Sequence, residues 1–579
     1  MDRTKTYALA AGGTALALLL AALLFHVNFE SGLTRWLTIA CAGASGHALG
    51  WFFSPQAKKA RKYIMAALAV AGALVAFANE GLLGMTVTPL MCVFAFCAAL
   101  GLWLGKRDEE AQTTAGSAVW ASPDYLRESG LLGGTGIRLG AVNAHDGARV
   151  TYAGDRHLLT IAPTRSGKGT TAIVPNLLTH TASALVIDPK GENALVTAKA
   201  RAAMGHTIHV VDPWGIASSA TGQSARFNPL DWLVLGDPDI TENAMLLADA
   251  LTVSDGKGDS FWTEEAKALL QGLILYVATD EREAGARHLG RVRDLLLLDG
   301  EDMPQLFQRM TESAHHVVAS TGARSLQKEE KLLANVVASA QAQTHFLDSP
   351  RIRDSLSASD FKFEDLKTSA MTIYLVLPAD RLETFGRWLR LLIQQAITVN
   401  ARNIAQGPKL PILFLLDEMP ALGRLSMVEQ AYGLMAGFGM QLWGIAQDAT
   451  QLKRIYGESW EGFVANAGVV QYFGSRDRMT AEYFSALCGV TTVWTLSRAI
   501  SRAFGGGTGP RAAMGHNQSH STSQRKLAFP DELMRMHGSQ QLVLIENHHP
   551  ILCGKSPWFA DADLRKLGRN LHAIDGRAE

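Results

Sequence analysis

Apolar residues dominate the first part of the chain, residues 1–107, where they form four separate runs. The runs cover residues 7–25, 33–53, 63–78 and 85–104. An apolar run of about 20 residues is long enough to cross the ~30 Å hydrocarbon layer of a bilayer as a helix. The pattern therefore predicts an N-terminal helical transmembrane domain of about four helices over residues 1–107.

The basic residues between these runs predict the orientation of the helices. Lys and Arg precede the first run, separate the second run from the third and follow the fourth; they are Arg3, Lys5, Lys58, Lys59, Arg61, Lys62, Lys106 and Arg107. The two alternate connections, HVNFESG and NEGLLG, contain neither Lys nor Arg. Since basic connections stay on the cytoplasmic side of a membrane, both ends of this domain are predicted to be cytoplasmic.

Three alternatives fit the same apolar runs less well. A cleaved signal peptide over residues 1–25 needs a small-residue cleavage motif, which AALLFHVNF lacks, and further apolar runs follow it. A soluble helical domain would have to bury all of this apolar surface. The second run contains Gly, Ser and His and the third run is short, so two membrane helices remain an alternative to four.

After a polar linker at residues 108–120, short apolar segments of strand length alternate with helical segments. The predicted strands are HLLTIA, ALVID, IHVVD, TIYLVLP (372–378), PILFLLDE (411–418), QLWGIAQ (441–447), VVQYFG (469–474) and QQLVLIE (540–546). This alternation predicts an α/β fold with a parallel sheet and helices on both faces. Asp188 and Asp212 end two of the strands, at the edge where such folds bind their ligands.

Two segments interrupt the alternation. Residues 241–350 have apolar positions at helical spacing and no strand-like run, which predicts an inserted all-helical domain. Residues 503–524 are rich in Gly, Ser and other polar residues, which predicts a flexible loop. The α/β domain is therefore predicted over residues 108–240 and 351–579.

Composition narrows the classes of function. The chain has 54 basic and 54 acidic residues, so its net charge gives no reason to expect nucleic-acid binding, and any basic surface must be local. The cysteines are Cys41, Cys92, Cys97, Cys488 and Cys553. They include no CxxC pair, which argues against a disulfide framework or a zinc site and suits a reducing cytoplasm.

The segment IAPTRSGKGTTAI, residues 161–173, has the parts of a phosphate-binding loop: a strand before it, a tight turn and a Lys that opens a helix. The predicted nucleotide-binding residues are Thr164, Arg165, Ser166, Gly167, Lys168, Gly169, Thr170 and Thr171. Ala162 stands where the usual pattern has its first Gly. Gly169 stands where a hydroxyl residue normally binds Mg²⁺, so Thr170 is the next candidate for the metal. An ordinary Gly-rich turn is the alternative.

Asp417 and Glu418 end the apolar strand LPILFLLDE. A nucleotide hydrolase needs one acid near Mg²⁺ and a second acid that activates water. Asp417 is therefore predicted to be a metal ligand together with Thr170, and Glu418 to be catalytic together with Lys168. A strand followed by a helix-capping acid is the alternative.

Gln447 and an arginine complete the predicted catalytic set. Gln447 ends the strand QLWGIAQ, where it would sense the outer phosphate or orient water; a structural role is the alternative. Ring-shaped motors often stabilise the transition state with an Arg from the neighbouring subunit. Arg424, which is included in the predicted catalytic set, and Arg387, Arg390 and Arg454 are the candidates, and the sequence does not choose among them. A surface or salt-bridged arginine is the alternative for each.

Seven stretches lie between about Gly116 and Lys566: GSAVWASPDYLRESGLL, APTRSGKG, VIDPKGE, FNPLDWL, FLLDEMPALGRL, GIAQDATQLKRIYGE and FPDELMRM. In these stretches the chain resembles the TraG-type coupling proteins of conjugation and type IV secretion. These proteins are membrane-anchored hexameric ATPases of the RecA-like class, related to FtsK-type DNA translocases. In this family a Gly often follows the loop Lys. Many relatives have two membrane helices around a small periplasmic domain, whereas four helices with short outer loops are predicted here.

The resemblance implies a RecA-like P-loop NTPase domain and a function. Lys168 would bind phosphate, Asp417 and Glu418 would form the metal and water-activating pair, and the cofactors would be ATP and Mg²⁺. Six copies would form a ring in the bacterial inner membrane. The helical domain would face the cargo, which is single-stranded DNA with its relaxase, beside inner-membrane components of type IV secretion. A coupling ATPase for protein effectors and a docking scaffold without ATP turnover are the alternatives.

Overall fold

The computed structural model describes most of the chain from residue 116 onward and short parts before it. The described residues are 13, 32–53, 93–98, 100, 116–142, 147–217, 222–252, 260–402, 407–502 and 514–571. The chain divides into two compact units. The first unit comprises Met1–Ala118 and Gly489–Leu527, and the second comprises Val119–Cys488 and Ala528–Glu579.

Strands occur in both units. In the described residues they are β1 Ile137–Val142, β2 Ala148–Tyr152, β3 His157–Ile161, β4 Ala184–Asp188, β5 Thr207–Val211, β6 Met371–Val376, β7 Ile412–Leu416, β8 Met440–Ala446, β9 Ala467–Tyr472, β10 Val490–Arg502, β11 Met514–Lys526, β12 Gln540–Ile545 and β13 Ile551–Gly554. The apolar runs that the sequence analysis predicted as strands are confirmed as β3 to β9 and β12, each within one or two residues.

Helices separate most of the strands. The α-helices with defined bounds are α1 Gly32–Phe53, α2 Pro123–Glu128, α3 Val174–Leu177, α4 Glu192–Ala203, α5 Ile240–Leu251, α6 Ser260–Thr279, α7 Leu289–Leu296, α8 Asp302–Thr311, α9 His316–Leu326, α10 Glu330–Thr344, α11 Pro350–Ser355, α12 Asp365–Thr368, α13 Leu382–Arg402, α14 Ser426–Leu434, α15 Ala449–Tyr456, α16 Glu461–Ala465, α17 Arg478–Leu487, α18 Pro530–Met534 and α19 Ala562–Leu567. A π-helical turn, Gly169–Ile173, precedes α3, and a 3₁₀ turn, Met419–Leu422, follows β7.

In the first unit, α1 packs closely against the helical residues 93–98. A Cβ atom added at Gly46 would lie 2.2 Å from Phe94 O, and one at Gly50 would lie 2.1 Å from Ala98 O. Glycine at these two places therefore lets the two backbones approach each other. None of the helices in the described part of the chain combines the length and the apolar composition needed to cross a bilayer. The predicted runs 7–25 and 63–78, and most of 85–104, lie outside the described residues.

The first unit also contains a long antiparallel hairpin formed by β10 and β11. Its register runs from Val490 opposite Lys526 to Arg502 opposite Met514. The predicted flexible loop over 503–524 is therefore wrong for residues 514–524, and residues 503–513 lie outside the description. The backbone pairing of a hairpin satisfies polar groups without an apolar run, so polarity alone did not exclude a strand here. The hairpin belongs to the first unit, although the sequence analysis assigned it to the α/β domain.

The second unit is built on an 11-stranded sheet with the order β2-β1-β13-β12-β9-β3-β8-β7-β4-β6-β5. The seven strands from β9 to β5 are parallel to one another, and β12, β13, β1 and β2 extend the sheet as antiparallel strands. The predicted parallel sheet of an α/β fold is therefore confirmed. Strand β3 pairs only with β8 and β9 in the described sheet.

The parallel strands are buried because their sequences are almost continuously apolar. Every residue of β3, β4, β6, β7, β8 and β9 is buried. Runs of this kind are typical of strands that are covered by helices on both faces. The functional consequence is that residues just past the strand ends are held by a rigid scaffold.

Between β5 and β6 the described residues form the helices α5 to α12 and no strand, and the sequence predicted helices only over residues 241–350. The buried Arg293 of α7 helps hold this region together, because its Nε and Nη2 lie 2.8 Å and 2.7 Å from the two carboxylate oxygens of Asp348. Helix α13 then connects the helical region to the sheet. Its Gln394 donates a hydrogen bond to Leu246 O in α5 at 3.0 Å.

Candidate nucleotide-binding site

The phosphate-loop candidate follows β3, and its backbone is tightly turned. Arg165 and Gly167 have φ angles of 61° and 90°, in the left-handed region. Ala162, which replaces the first Gly of the usual pattern, is fully buried and is not among the described residues with positive φ. A side chain is therefore tolerated at that position, whereas Gly167 has the conformation that glycine adopts most readily.

The helix after the loop begins with the π-helical turn Gly169–Ile173, in which Val174 N–H donates to Gly169 O. The first N–H groups of a helix have no acceptor within that helix, so they are available to an anion. Thr170 Oγ1 and Thr171 Oγ1 both donate to Gly167 O, at 3.2 Å and 2.8 Å. The nearest hydroxyls to the missing one at Gly169 thus lie one and two residues further on.

Lys168 reaches two acids that lie 250 residues further along the chain. Its Nζ lies 2.8 Å from Asp417 Oδ1 and 2.9 Å from Glu418 Oε2. The acids follow β7, and the lysine follows β3. These strands are separated by β8 alone, and all three are parallel, so their carboxyl ends meet at one edge of the sheet.

Gln447, directly after β8, completes this group. Its Nε2 donates a hydrogen bond to Glu418 Oε1 at 2.6 Å. Glu418 is therefore held at one oxygen by a lysine and at the other by an amide. The residue itself has left-handed backbone angles, φ 61° and ψ 41°, which are uncommon for a side chain of this kind. Strained backbone at such a position is typical of functional sites.

Burial and the ion pairs within this group shift the pKa values of Lys168 and Asp417. Burial alone would lower the pKa of Lys168, but Asp417 and Glu418 together outweigh it and raise that pKa. Burial raises the pKa of Asp417, and the attraction of Lys168 offsets this only in part. Lys168 is therefore protonated and cationic. Burial destabilises the charged form of Asp417, and a further bound cation would stabilise that form.

Arg424 does not join this group within the described chain. Its side chain is 59% exposed, and its guanidinium lies 3.4 Å from Glu429. Arg390 is instead buried, and its Nη1 donates to the carbonyl oxygens of Leu422 and Arg424. Arg387 is half-buried and Arg454 is exposed. Arg390 therefore holds the loop after β7 of its own chain by two hydrogen bonds.

Asp188, the last residue of β4, and Asp212, directly after β5, both accept hydrogen bonds from nearby backbone N–H groups. Asp188 accepts from Ala194 N–H at 2.9 Å and so anchors the first turn of α4. Burial raises the pKa of Asp188 to about 7. Asp212 accepts from Gly215 N–H and Ala217 N–H at 2.9 Å and 2.6 Å. Both acids lie at the expected edge, and both hold backbone groups there.

Two contacts at the site were not predicted from the sequence. The role of Arg390 as a support for the loop after β7 was not foreseen, although the residue was named. Lys555, just past β13, donates to Ser166 O in the phosphate loop at 3.1 Å. No local pattern identifies either contact, because each depends on which strands and helices become neighbours in the fold.

The sequence of this chain is similar to a known protein family and to several of its members. The family model described as type IV secretory system conjugative DNA transfer matches residues 119–575. The conjugal transfer protein TraG of Escherichia coli is 30% identical over 495 residues, a match that covers 77% of this chain and 76% of TraG. The protein VirD4 of Agrobacterium fabrum is 27% identical over 464 residues, covering 78% of this chain and 67% of VirD4.

A solved structure has the same fold. The plasmid coupling protein TrwB in complex with ADP and Mg²⁺ superimposes with a TM-score of 0.57 at 14% identity, covering 76% of this chain and 94% of that chain. At this level of identity the similarity establishes the fold. The fold of this chain is thus shared with TrwB.

Proposed function

This chain belongs to the type IV secretory system conjugative DNA transfer family, and on that premise we propose that it is a coupling ATPase. It binds ATP with Mg²⁺ between the phosphate loop and the end of β7. It uses the hydrolysis of ATP to drive DNA toward a type IV secretion channel. The relatives named conjugal transfer protein and the conjugative DNA transfer family support DNA as the cargo.

One observation carries the proposal: Lys168 Nζ lies within 2.9 Å of both Asp417 and Glu418. A lysine that opens a helix after a tight turn is the group that reaches the outer phosphates of a nucleotide. Two acids within reach of it are the groups that phosphoryl transfer requires for the metal and for water. A glycine-rich turn or a helix-capping acid alone gives no reason for the two segments to meet.

Each residue of the cluster then has a role. Lys168 and the N–H groups of Gly167, Gly169 and Thr170 bind phosphate oxygens. Glu418 accepts a proton from the attacking water, and Gln447 fixes the orientation of Glu418 through its 2.6 Å hydrogen bond. Thr164, Arg165, Ser166 and Thr171 line or support the loop.

The residues present fit Mg²⁺ bound together with a triphosphate. Asp417 Oδ1 is buried and, apart from its ion pair with Lys168, accepts no hydrogen bond from the residues that the structure describes. Mg²⁺ prefers oxygen ligands and is commonly held by one or two carboxylates plus phosphates and water. Asp417 and the Thr170 hydroxyl would hold it, and the bound metal would supply neutralisation of the charge on the outer phosphates.

The ring and its surroundings extend the proposal. Six copies form the ring, and the exposed Arg424 reaches the site of the neighbouring subunit. The chain is anchored in the bacterial inner membrane by several helices before residue 108, beside the inner-membrane secretion components. The helical region 241–350 contacts the relaxase that is attached to single-stranded DNA. These statements rest on the family and on the charge pattern of residues 1–107.

The test is Mg²⁺-dependent ATP hydrolysis by the full chain in detergent or nanodiscs. We expect Lys168→Ala and Glu418→Gln each to lower kcat by about 100-fold or more, because each removes a group needed in the transition state. Lys453→Ala serves as the control, since Lys453 is half exposed and pairs with Glu458 at 3.7 Å. Equal activity in wild type and in Lys168→Ala would contradict the proposal.

The two alternatives are less well supported. A scaffold without turnover has no use for the cluster of Lys168, Asp417, Glu418 and Gln447. A specialised exporter of protein effectors would share the same cluster, and no contact in the described residues favours it. Binding of the full chain to single-stranded DNA and to a relaxase, compared with binding to candidate effectors, separates these cargoes.

A further inference from the structure

A second lysine lies against the phosphate loop. Lys555 follows β13, and its Nζ donates to Ser166 O at 3.1 Å and to Phe473 O at 3.2 Å. The same ammonium lies 4.4 Å from the centre of the Phe473 ring. One cation thus bridges the phosphate loop and the end of β9.

The lysine is itself held by the sheet. Its backbone N–H donates to Ser539 O at 2.7 Å, beside the pairing of β12 with β13. Phe473 is tied to the base of the loop, because Phe473 N–H donates to Ile161 O at 2.9 Å. The bridge therefore connects the loop to strands that are fixed by the sheet, and it does not depend on a flexible segment.

The contact determines which way one peptide group of the loop points. In a trans peptide the carbonyl and the N–H point in opposite directions, and the described chain has no cis peptide. When Lys555 holds the carbonyl of Ser166, the N–H of Gly167 must point away from Lys555. A flip of this peptide would exchange an N–H for a carbonyl on the side that faces an anion. Gly167, with φ 90°, is the residue in the loop most able to allow such a flip.

We propose that Lys555 is a positioning residue of the nucleotide site: its ammonium holds the Ser166 carbonyl so that the Gly167 N–H faces the phosphates. The proposal rests on the proposed function, since it concerns the same site. Lys555 itself does not touch the reacting atoms in this assignment. It acts through the Ser166 carbonyl, whereas Lys168 is the group that reaches the phosphates.

The surroundings of Lys555 favour this role over that of an ordinary surface lysine. Both hydrogen-bond acceptors are neutral carbonyls, and no ion pair joins Lys555 to a carboxylate in the part of the chain that is described. Burial without a counter-charge lowers the pKa of Lys555 to about 8. Stability alone does not explain a cation in this position, because burying an unpaired charge is costly. The positive charge is compensated when an anionic ligand lies in the adjacent loop.

The experiment compares Lys555→Met and Lys555→Arg in the full chain. Lys566→Met is the matched control, because it removes the same charge from the same C-terminal segment at a side chain that is 78% exposed. Binding of a non-hydrolysable ATP analogue with Mg²⁺ is measured by calorimetry, and KM and kcat for ATP are measured in parallel. Hydrogen exchange of the peptide over 162–170 is followed without nucleotide.

We expect Lys555→Met to weaken analogue binding and to raise KM by about tenfold, with a smaller change in kcat, since hydrogen bonds from a charged group are among the stronger ones. Exchange in the loop becomes faster, and Lys555→Arg restores most of both properties. Thermal unfolding of Lys555→Met without nucleotide stays within a few degrees of wild type.

Three results overturn the proposal. They are a loss in Lys555→Met no larger than in Lys566→Met, an equal loss in the Arg and Met variants, or unchanged loop exchange. Failure of the proposed function has a different result, because wild type itself would then neither bind the analogue nor hydrolyse ATP. Wild-type activity combined with an unaffected Lys555→Met removes only the role of Lys555.

Discussion

Arg390 donates a hydrogen bond from Nη1 to the carbonyl oxygen of Arg424 at 2.7 Å, and the same nitrogen donates to Leu422 O at 3.1 Å. A buried guanidinium on α13 therefore supports the loop that leads from Glu418 to the exposed Arg424. Since α13 also bonds to α5 through Gln394, the same helix contacts both the loop after β7 and the helical region. We therefore expect a displacement of the helical region to shift the loop after β7, and a displacement of that loop to shift the helical region.

Replacement of Arg390 tests this support. We expect Arg390→Met to lower the free energy of unfolding by ~2–4 kcal/mol, because one buried and one partly buried carbonyl lose a charged donor. ATP hydrolysis should fall as well, since the position of Glu418 depends on the loop. Denaturant unfolding and steady-state hydrolysis of the full chain provide the measurements. Arg454→Met, at an exposed arginine, is the control, and equal effects in the two variants would contradict the role of Arg390.

Gln447 provides a second prediction. We expect Gln447→Ala to lower kcat by about 10-fold to 100-fold with little change in KM, because Glu418 loses the 2.6 Å hydrogen bond that orients it. Gln447→Glu should be at least as damaging, since it places a second negative charge against Glu418. Initial rates over a range of ATP concentrations separate kcat from KM. An effect confined to KM would mean that Gln447 binds nucleotide and does not orient the carboxylate.

The strands and the main acids of the site were predictable because their patterns are local. Runs such as ALVID and LPILFLLDE are apolar, short and bounded by polar residues, which is sufficient to predict buried strands. Asp417 and Glu418 stand directly after such a run, and Lys168 ends the turn that follows HLLTIA. Since parallel strands end at the same edge of a sheet, all three residues were expected at that edge, and the strand order then sets the distance between them. Their chemical roles remain predictions.

The remaining features depend on neighbours that are distant in sequence. The insertion of β8 between β3 and β7 is a property of strand order, and it is what brings Gln447 to Glu418. The contacts of Lys555 and Arg390 arise in the same way. The hairpin of β10 and β11 was missed for a different reason, because MGHNQSHSTSQRK lacks the alternation of apolar and polar residues that predicts a strand.

Arg201 provides a prediction about stability. This arginine of α4 is fully buried and has carbonyl and hydroxyl partners; it donates to Leu177 O, His180 O, Ala182 O and Thr372 Oγ1. We expect Arg201→Met to destabilise the chain by ~3–5 kcal/mol, since two buried carbonyls and one partly buried carbonyl lose their donor. Arg201→Lys should recover only part of this, because an ammonium cannot match the planar geometry. A loss below ~1 kcal/mol in denaturant unfolding would contradict this assignment.

The pH dependence of nucleotide binding provides a further prediction. The pKa of Lys555 is about 8, below its ordinary value of 10.5, so its charge is present at pH 7 and is lost as the pH rises toward 9. The affinity for the ATP analogue should therefore fall over this interval, with proton uptake on binding at the upper end. Lys168 does not titrate there, because its acids raise its pKa. Calorimetry in two buffers detects the uptake, and Lys555→Arg should abolish it; an identical profile in that variant would refute the assignment.

The pairing of β3 has a consequence for synthesis on the ribosome. Strand β3 ends at Ile161, and its two partners begin at Met440 and Ala467. At elongation rates of ~5–20 residues per second, the strand waits on the order of tens of seconds before either edge is covered. During that interval the apolar segment of β3 has left the ribosome with both of its edges unpaired. We therefore expect chaperones that bind extended hydrophobic polypeptide to bind the nascent chain. Nascent chains halted before residue 440 are accordingly expected to aggregate more than chains halted after residue 472, where both partners of β3 are complete.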